Sequence, residues 1–473
     1  IQFTNEKKFL AELKSRDWDW VEKAVKNYHT PVNNDFCKLI EIIQECRSRA
    51  TKTKIVNDKK HSRKKKRQPW MTTDLFSLVD EKARAYQRYR QDKNNNALRV
   101  DFQLISAKVK KEIRKEKVRY YSKLLNDNYQ DSKKYWKLIN DARGKNAREK
   151  IKEIEIAGEI VSAGNDPVKV AEEFNKFFNN VTEDLMSKEG VNALEVSELL
   201  DPVDMVNDHS QTLDGFCLTP SDVERAIMSL KNKHSVGTDG IASHTVKELP
   251  KFFSRILTPL FNKSVKQGVF PEMLKLITIV PVPKGGDGTQ MTNYRPIALI
   301  PCISKIFEKC IKEKILNYLN HIKFFAANQF GFTKNKSTDT ALFTHISDIV
   351  NGIEQNNAAV GVYLDLAKAF DTVNHKLMIR KLKKVGFTGP LLDWFTSYLA
   401  GREHCVRINE IVSAKLETKH GVPQGSVLGP LLFLIYINEL FFLPLKGKII
   451  GYADDTSLLY SAATAEQINE DFE

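Results

Sequence analysis

The stretch that decides the fold is Ile449-Ile450-Gly451-Tyr452-Ala453-Asp454-Asp455, followed after two residues by Leu458-Leu459-Tyr460. An apolar run that ends in adjacent carboxylates and precedes another apolar run predicts a strand, a tight turn and a second strand. Such a hairpin would lift Asp454 and Asp455 to an exposed tip while its flanks stay buried. Taken alone, an Asp-Asp pair is more often a solvated turn than a functional site.

A second run of strand character, Ala358 to Leu366, carries Asp365 near its end. We expect a helix after it, with Asp371 as the N-cap and Gly386 just past its C-terminus. Carboxylates at adjacent strand ends suit Mg²⁺, which prefers oxygen ligands and keeps room for water and substrate phosphates. Two such ions about 4 Å apart would clamp the attacking and leaving oxygens of a phosphoryl displacement. The three carboxylates together therefore indicate a divalent-cation site.

Charge is distributed unevenly along the 473 residues, which hold 73 Lys and Arg against 59 Asp and Glu and are 42% hydrophobic. This composition excludes a wholly disordered basic tail and can fill the cores of roughly three domains. Residues 1–150 carry 39 basic and 20 acidic side chains, 151–215 carry 4 and 15, and 216–473 carry 30 and 24. We therefore expect a basic region that attracts a polyanion, then an acidic linker region, then a mildly basic remainder.

The basic region is predicted to be helical. Apolar residues recur at helical spacing between Phe102 and Leu124, and a second helical stretch, Glu81 to Arg90, precedes it across the polar run Gln91 to Asn96. Tyrosines and Trp136 lie among the Lys and Arg residues, which suits single-stranded nucleic acid. A solvated helix pair with its aromatics in its own small core fits equally well. The run Arg63 to Arg67 is a weak signal for a nuclear address or a phosphate contact.

Two other patterns bear on the class of protein. The six cysteines show neither paired nor zinc-binding spacing, so we expect reduced thiols. Val427 to Leu445 is nearly apolar and long enough for a membrane span, but Asn438-Glu439 and Pro444 within it favour a buried core helix.

Several motifs together resemble, in order and spacing, the reverse transcriptases of non-LTR (LINE-type) retrotransposons. They are VGTDGI at 236–241, PVPKGG at 281–286, NYRPIAL at 293–299, QFGFTKNKST at 329–338, VYLDLAKAFDTVNH at 362–375, GVPQGSVLGPLLF at 421–433 and YADD at 452–455. The resemblance covers about 216–473. More weakly, KKRQPWMT at 65–72 and YWKLIND at 135–141 resemble the segment that joins endonuclease and polymerase in such elements.

The resemblance implies an α+β fold, that of a right-hand polymerase with fingers and a partial palm of antiparallel sheet and helices, after a basic helical N-terminal region. The implied domains are 1–150 as a basic helical nucleic-acid-binding region, 151–215 as an acidic helix and linker, 216–350 as fingers and 351–473 as palm, with the reverse transcriptase core at about 264–473. Residue 1 is Ile and the chain ends 18 residues after Asp455, so we expect a fragment that lacks the thumb.

Roles follow from the resemblance for the carboxylates and for two cations. Asp365, Asp454 and Asp455 would hold two catalytic Mg²⁺ ions, with Asp365 and Asp454 favoured as direct ligands. Lys284 and Arg295 flank a loop after a strand whose alternate prolines fit only a sheet edge. There they would bind the triphosphate of an incoming nucleotide through charge-assisted hydrogen bonds. Ordinary solvated surface charges are the alternative.

Three further residues are implied to contact the nucleotide. Phe370 matches the aromatic steric gate that would exclude a 2′-hydroxyl, although simple core packing is also possible. Gln424 and Gly425 precede a helix predicted to open near Ser426, and a glycine lets the backbone approach a base or template closely.

The implied activity is RNA-directed DNA polymerisation, in which a primer 3′-hydroxyl attacks the α-phosphate of a dNTP. The implied partners are an RNA template, a DNA primer and dNTPs, with no membrane, and the implied location is nucleus and cytoplasm. A catalytically inactive nucleic-acid-binding relic is the alternative, because Thr333 stands where the family usually has Arg. An RNA-dependent RNA polymerase is disfavoured by Phe370 and the QGS motif.

Overall fold

The computed structural model describes residues 2–27, 29–53, 68–129, 131–143, 151–188, 212–233, 235–366 and 368–472. Two predicted features lie outside the described residues. They are the basic run Arg63 to Arg67 and the acidic stretch Glu195 to Asp208 of the predicted linker.

Helices dominate the described residues. In chain order they are α1 (Glu6–Ser15), α2 (Asp19–Lys26), α3 (Val32–Ala50), α4 (Thr73–Gln91), α5 (Asn96–Asp127), α6 (Ser132–Ala142), α7 (Pro167–Lys188), α8 (Pro220–Met228), α9 (Ser243–Glu248), α10 (Pro250–Gln267), α11 (Cys302–His321), α12 (Thr338–Glu354), α13 (His375–Lys384), α14 (Gly389–Leu399), α15 (Gly429–Ile437) and α16 (Ala465–Phe472).

In the described part of the chain, the strands form four small sheets. They are β1 (Gln2–Thr4), β2 (Thr51–Thr53), β3 (Glu153–Ile156), β4 (Glu159–Ser162), β5 (Ile277–Pro283), β6 (Tyr294–Leu299), β7 (Ala358–Asp365), β8 (Arg402–Ile408), β9 (Ile411–Val412), β10 (Leu416–Thr418), β11 (Lys448–Tyr452) and β12 (Asp455–Ala462). The sheets are β1-β2, β3-β4, β10-β8-β5-β6 with β9 paired to β8, and β11-β12-β7. The mixture of helices with largely antiparallel sheets agrees with the predicted α+β class.

The chain divides into two compact units, residues 1–54 together with 151–473, and residues 55–150. In the second unit α4 and α5 pack against each other, as the sequence predicts. Tyr89 stacks on Phe102 with ring centroids 6.0 Å apart. Tyr86 and Trp136 are 49% and 59% exposed. Some rings therefore form a small core and others remain open to solvent, and their contact with nucleic acid stays a prediction.

The larger unit has one main hydrophobic core, built from α10, α11 and α14. Phe261 and Phe307 stack with their centroids 4.1 Å apart, and Trp394 lies edge-on to Phe307 at 5.3 Å. All three side chains are fully buried. Aromatic pairs in such offset and edge-on geometries add about 0.5–1.5 kcal/mol each beyond the area they bury.

The N-terminal helices α1 to α3 belong to this unit because a buried ion pair joins them to α10. Lys263 is fully buried, and its ammonium donates to Asp35 at 2.7 Å, to Thr30 Oγ1 at 2.8 Å and to the carbonyl of Ala24 at 2.8 Å. A buried charge is costly unless its hydrogen bonds are satisfied. The complete set of partners around Lys263 therefore fixes α3 against α10.

The sheet β10-β8-β5-β6 supports the predicted edge hairpin. β5 pairs with β6 along its length, but with β8 only at Ile277 to Ile279. Pro281 and Pro283 lie beyond the part of β5 that pairs with β8, and there β5 pairs with β6 alone. The prolines thus occupy a sheet edge, as predicted, because a residue without an N–H cannot serve a second neighbouring strand.

Helix boundaries near the site differ in part from expectation. The helix after β7 is α13, and its N-cap is Asn374, whose side chain accepts from Leu377 N at 3.1 Å. The predicted N-cap at Asp371 is wrong, because turns extend through residues 368–372 before the helix begins. Gly386 follows the helix with a φ of +103°, as predicted.

The apolar segment at Val427 to Leu445 folds as α15 followed by a 3-10 turn at Asn438–Phe442. Leu431 of α15 is buried in the main core, and Leu434 of the same helix is also buried. Both observations confirm the predicted core helix. Among the described residues, no helix has the length and apolar character needed to cross a membrane.

Candidate active site

The hairpin predicted at Ile449 to Tyr460 is present as β11 and β12, which pair in register from Lys448 opposite Leu459 to Tyr452 opposite Asp455. Ala453 and Asp454 form its two-residue turn. Ala453 has a φ of +62°, and a left-handed backbone costs a residue other than glycine about 1–2 kcal/mol. Such strain persists only where surrounding contacts impose it.

Two of the predicted carboxylates lie directly opposite each other. β12 lies between β11 and β7, and its register places Asp455 opposite Asp365. Opposite residues of an antiparallel pair share one face of the sheet, with Cα atoms about 4.5–5.5 Å apart. Asp454 occupies the adjoining turn. The predicted convergence of the strand ends is therefore confirmed, and the register adds that the partner of Asp365 across the ladder is Asp455.

The three carboxylates are close in the fold without forming a compact ligand cluster. Among the described residues, no group of three or more His, Cys, Asp and Glu side chains is gathered closely enough to hold a metal ion. Their donor chemistry nevertheless fits Mg²⁺, since all are carboxylate oxygens and Asp365 and Asp455 are exposed. These residues could bind a divalent cation together with water and substrate oxygens.

The strained turn is held by Gln329, a residue to which the sequence assigned no role. The Oε1 atom of Gln329 accepts from Ala453 N at 3.0 Å and from Gly331 N at 2.8 Å. Phe330 N donates to Gly451 O at 2.7 Å on the same side of the hairpin. A side chain at Gly331 would collide with the backbone of Ala453. The QFGF segment is thus fitted directly against the turn that carries Asp454.

Thr333, the predicted departure from the family pattern, supports the same segment. Its hydroxyl donates to Gly331 O at 3.1 Å. Lys336 also donates to Gln329 O, at 3.0 Å, and lies 4.8 Å from the centre of the Phe330 ring. Hydrogen bonds from Thr333 and Lys336 therefore fix the backbone of QFGF, although Thr333 stands where the family usually has an arginine.

A cleft of about 600 Å³ contains several of the predicted nucleotide-binding residues. Lys284, Arg295 and Gln424 line it, together with Lys368 and Asp371. The three predicted metal-binding carboxylates are not among the residues of its walls. The structure thus brings together the two predicted cations and Gln424, and places the carboxylate pair outside this cavity.

The loop between β5 and β6 forms the predicted hairpin around its glycines. Gly285 and Gly286 have φ values of +117° and +83°, which only glycine adopts without strain. Lys284 donates from Nζ to Thr292 O at 2.9 Å, and Arg295 is exposed opposite Val282 in the ladder. Both cations therefore lie at the root of one loop, as the sequence predicts.

Asp371 positions Gln424 instead of capping a helix. The amide nitrogen of Gln424 donates to both carboxylate oxygens of Asp371, at 2.9 and 2.8 Å. Burial raises the pKa of Asp371, and the hydrogen bond from Gln424 partly opposes the shift. This bond joins the motif after β7 to the loop that carries Gln424.

Phe370 and Gly425 lie beside the cleft. Phe370 is half-buried and stacks on Phe433 of α15 with centroids 4.6 Å apart. The stack confirms the predicted packing role, and the gate role stays a prediction. Gly425 has a φ of +92° and lines a neighbouring cavity of about 300 Å³ with Lys305 and Lys309.

The loop after Gly425 is anchored by Glu308 of α11, which the sequence did not reveal. Glu308 is fully buried and accepts from Val427 N at 2.6 Å and from Leu428 N at 3.2 Å. α15 begins at Gly429, three residues after the predicted opening near Ser426. Ser426 Oγ accepts from Gly429 N at 2.8 Å, so this hydroxyl serves the first N–H group of the helix.

Comparison with known proteins agrees with the resemblance that the motifs carry. Residues 282–471 match the model of the family described as reverse transcriptase (RNA-dependent DNA polymerase). This segment of the chain is similar to reverse transcriptases. All three predicted metal-binding carboxylates, and all five predicted nucleotide-binding residues, lie within the matched segment.

Curated proteins that are similar to the chain come from mobile elements. The chain is 32% identical over 249 residues to a probable RNA-directed DNA polymerase from transposon BS of Drosophila melanogaster, covering 51% of the chain and 27% of that protein. It is 31% identical over 250 residues to the RNA-directed DNA polymerase from mobile element jockey of the same species, with the same coverages.

A third relative is a putative 115 kDa protein in type-1 retrotransposable element R1DM of Drosophila melanogaster, 26% identical over 252 residues, covering 53% of the chain and 24% of that protein. The chain thus spans about a quarter of the length of these curated relatives. These matches confirm the predicted likeness to reverse transcriptases of non-LTR retrotransposons.

Proposed function

We propose that this chain is an RNA-directed DNA polymerase that transfers a nucleotide from a dNTP to a primer 3′-hydroxyl. The observation that carries the proposal is the register pairing of Asp365 with Asp455, with Asp454 in the adjoining turn, inside the segment that is similar to reverse transcriptases. Its relatives are named as RNA-directed DNA polymerases. In the reaction, the primer oxygen forms a bond to the α-phosphorus while the bond to pyrophosphate breaks.

Asp365, Asp454 and Asp455 are the residues proposed to hold two Mg²⁺ ions. Bound in pairs, such ions polarise phosphoryl oxygens and stabilise charge on the attacking and leaving groups. The chain's own contribution is to keep the carboxylates together against their mutual repulsion. The β12-β7 ladder and the clamp from Gln329 on Ala453 support that role.

The nucleotide is proposed to bind in the cleft of about 600 Å³. Lys284 and Arg295 would neutralise the triphosphate, since both stand at the root of the β5-β6 loop and line the cleft. Phe370 would lie against the deoxyribose and exclude a 2′-hydroxyl. Gln424, oriented by Asp371, and Gly425 would contact the base pair or template.

The partners proposed are an RNA template, a DNA primer and dNTPs, in the nucleus and cytoplasm. The helices of the basic region would supply phosphate attraction, with 39 basic side chains in residues 1–150. Residues 151–215 are proposed as an acidic helix and linker, 216–350 as fingers and 351–473 as palm. This division into regions rests on the order of the motifs along the chain.

Primer extension with purified full chain, a DNA primer, an RNA template, dNTPs and Mg²⁺ tests the proposal. We expect Asp365→Asn, Asp454→Asn and Asp455→Asn each to lower the single-turnover rate at least about 100-fold, because each removes part of a charge-stabilising site worth several kcal/mol. Asp348→Asn on α12 is the matched control, since Asp348 pairs only with the exposed Lys448 among the described residues.

A second measurement separates the site from the activity. Mn²⁺ titration followed by electron paramagnetic resonance should show weaker binding in the three variants and unchanged binding in Asp348→Asn. Full extension by any of the three variants would overturn that residue's role. Binding of template and primer without extension by the wild-type chain would favour the inactive relic.

A further inference from the structure

Helix α7 comes from the region predicted as an acidic helix and linker, yet it is fixed firmly to the β10-β8-β5-β6 sheet. Asn175 donates to Ala414 O at 2.8 Å, and Glu172 accepts from Ala414 N at 2.7 Å. On the neighbouring turn, Phe174 is fully buried and lies edge-on to Tyr294 of β6 at 5.0 Å. α7 is thus anchored at two places on this sheet and can serve as a rigid wall.

This anchoring brings the next turn of α7 to the nucleotide cleft. Phe177 and Phe178 both line the cleft that contains Lys284, Arg295 and Gln424. The Lys368 ammonium lies over the Phe177 ring, 5.9 Å from its centre. Cations within about 6 Å of a ring centre are attracted by its negative face. Residues 167–188 lie before the segment that matches the reverse transcriptase family.

Lys368 is a third cation in the same cleft as Lys284 and Arg295. It follows Asp365 by three residues and stands in a turn with a φ of +51°. Burial lowers its pKa, Asp371 raises it, and the nearby Lys284 ammonium lowers it further. Among the described residues Lys368 forms no ion pair, and the carboxylate of Asp371 accepts from the amide of Gln424.

We infer that Lys368 is a further binding residue for the triphosphate of the incoming nucleotide and that Phe177 of α7 is the residue that positions its ammonium. The inference rests on the proposed polymerase function. Three like charges in one cleft repel one another unless a polyanion joins them, and a triphosphate supplies that charge. The aromatic face attracts the Lys368 ammonium without neutralising it, so the charge stays available for phosphate.

The competing explanation is that Phe177 and Lys368 only help to pack α7. The two accounts differ in how substitutions combine. A positioning residue acts through Lys368, so removing its ring should matter little once the ammonium is gone. A packing residue should reduce function by the same factor in either background.

The test uses the full chain with Lys368→Gln, Phe177→Leu and the double variant. Lys376→Gln on α13 is the matched control for charge, since Lys376 is exposed and lies outside the walls of the cleft. Val168→Leu, at an exposed position of α7, is the matched control for the helix. Steady-state primer extension gives kcat and the KM for dNTP separately. Calorimetric titration with sodium tripolyphosphate measures binding without the base, the sugar or catalysis.

We expect Lys368→Gln to raise the KM for dNTP about tenfold with kcat within about twofold, as removal of one charge-assisted contact predicts. Phe177→Leu should raise KM about threefold, the scale of a partly exposed cation–π contact. The double variant should match Lys368→Gln, and both controls should match wild type. Tripolyphosphate affinity should follow the same order.

An unchanged KM and unchanged tripolyphosphate affinity in Lys368→Gln would overturn the binding role. Multiplying effects in the double variant would overturn the positioning role of Phe177. If the wild-type chain extends no primer at all, the proposed function fails, while the tripolyphosphate titration still decides whether Lys368 binds the polyanion.

Discussion

The side chain of Gln329 holds the backbone of Ala453, 124 residues further along the chain, by accepting its N–H at 3.0 Å. That N–H belongs to the left-handed residue of the turn that carries Asp454. The hairpin tip is therefore defined by a contact from outside the hairpin.

Substituting Gln329 should disturb the turn more than the fold. Gln329→Leu leaves the buried N–H groups of Ala453 and Gly331 without an acceptor, at about 1–3 kcal/mol each. We expect kcat for primer extension to fall about tenfold or more, with a small change in the KM for dNTP. Gln329→Glu keeps the acceptor and should lose less. Gln355→Leu, at an exposed position after α12, is the control, and wild-type kcat in Gln329→Leu would contradict the role.

Phe370 should show both a packing role and a gate role. Phe370 stacks on Phe433, so Phe370→Ala removes core contacts and should lower the free energy of unfolding. Removal of a fully buried Phe costs about 3–5 kcal/mol, and the half-buried Phe370 should cost less. We also expect this variant to incorporate ribonucleotides, measured as the ratio of kcat/KM for dNTP over rNTP. Phe433→Leu loosens the same stack without touching the gate. Equal sugar selectivity in wild type and Phe370→Ala would remove the gate assignment.

Asp222 gives a pH dependence of stability. Burial would raise its pKa, but hydrogen bonds from Thr219 and Lys314, the latter 3.0 Å away, lower the pKa from 3.8 to about 2. The folded pKa is below the unfolded one, so this stabilisation is present above pH 3.8 and disappears as pH falls toward 2. By linkage it amounts to about 2 kcal/mol.

Urea denaturation of wild type and Asp222→Asn at neutral and acidic pH measures this effect. The variant should unfold at lower urea concentration at pH 7, and the difference should vanish near pH 2. Glu313→Gln removes only an exposed partner of Arg225, 3.3 Å away, and should change stability by less than about 0.5 kcal/mol. A gap between wild type and Asp222→Asn that stays constant with pH would refute the assignment.

The basic helices should bind RNA through phosphate contacts. Replacing the exposed Lys108, Lys111 and Lys115 of α5 with Gln should weaken RNA binding by the full chain and reduce the slope of log affinity against log salt by about 2, since each single-strand phosphate contact contributes about 0.7. The control replaces Lys251, Lys376 and Lys383, which are exposed elsewhere. Identical slopes for the two triple variants would leave α5 as a structural element.

Local patterns predicted the local parts of the site well. The alternation around Asp454 and Asp455 indicated a hairpin, the spacing of apolar residues indicated α5, and Gly386 indicated the end of α13. These features depend on a few neighbouring residues, whose periodicity and conformational preferences appear directly in the sequence.

Contacts between distant segments could not be predicted in the same way. Asp371 resembled an N-cap because it follows a strand, but its partner is Gln424, 53 residues away. Glu308 and Gln329 act on backbone groups 119 and 124 residues distant. Phe177 lies in the region predicted as an acidic helix and linker, but its contact with Lys368, 191 residues further along the chain, leaves no local pattern in the sequence. The presence of Gln329 within a family motif was the available signal for its role.

The buried pair of Lys263 and Asp35 has a consequence for folding order. Its partners are 228 residues apart in sequence, and a ribosome makes the N-terminal one first. Helices α1 to α3 therefore emerge with Phe36 and Ile40, which become fully buried in the finished core. They wait for α10 while residues 55–249 are being synthesised. Contacts of such long range close slowly, and apolar surface exposed meanwhile favours aggregation. We expect the growing chain to need chaperone protection of its first 54 residues until α10 has left the ribosome.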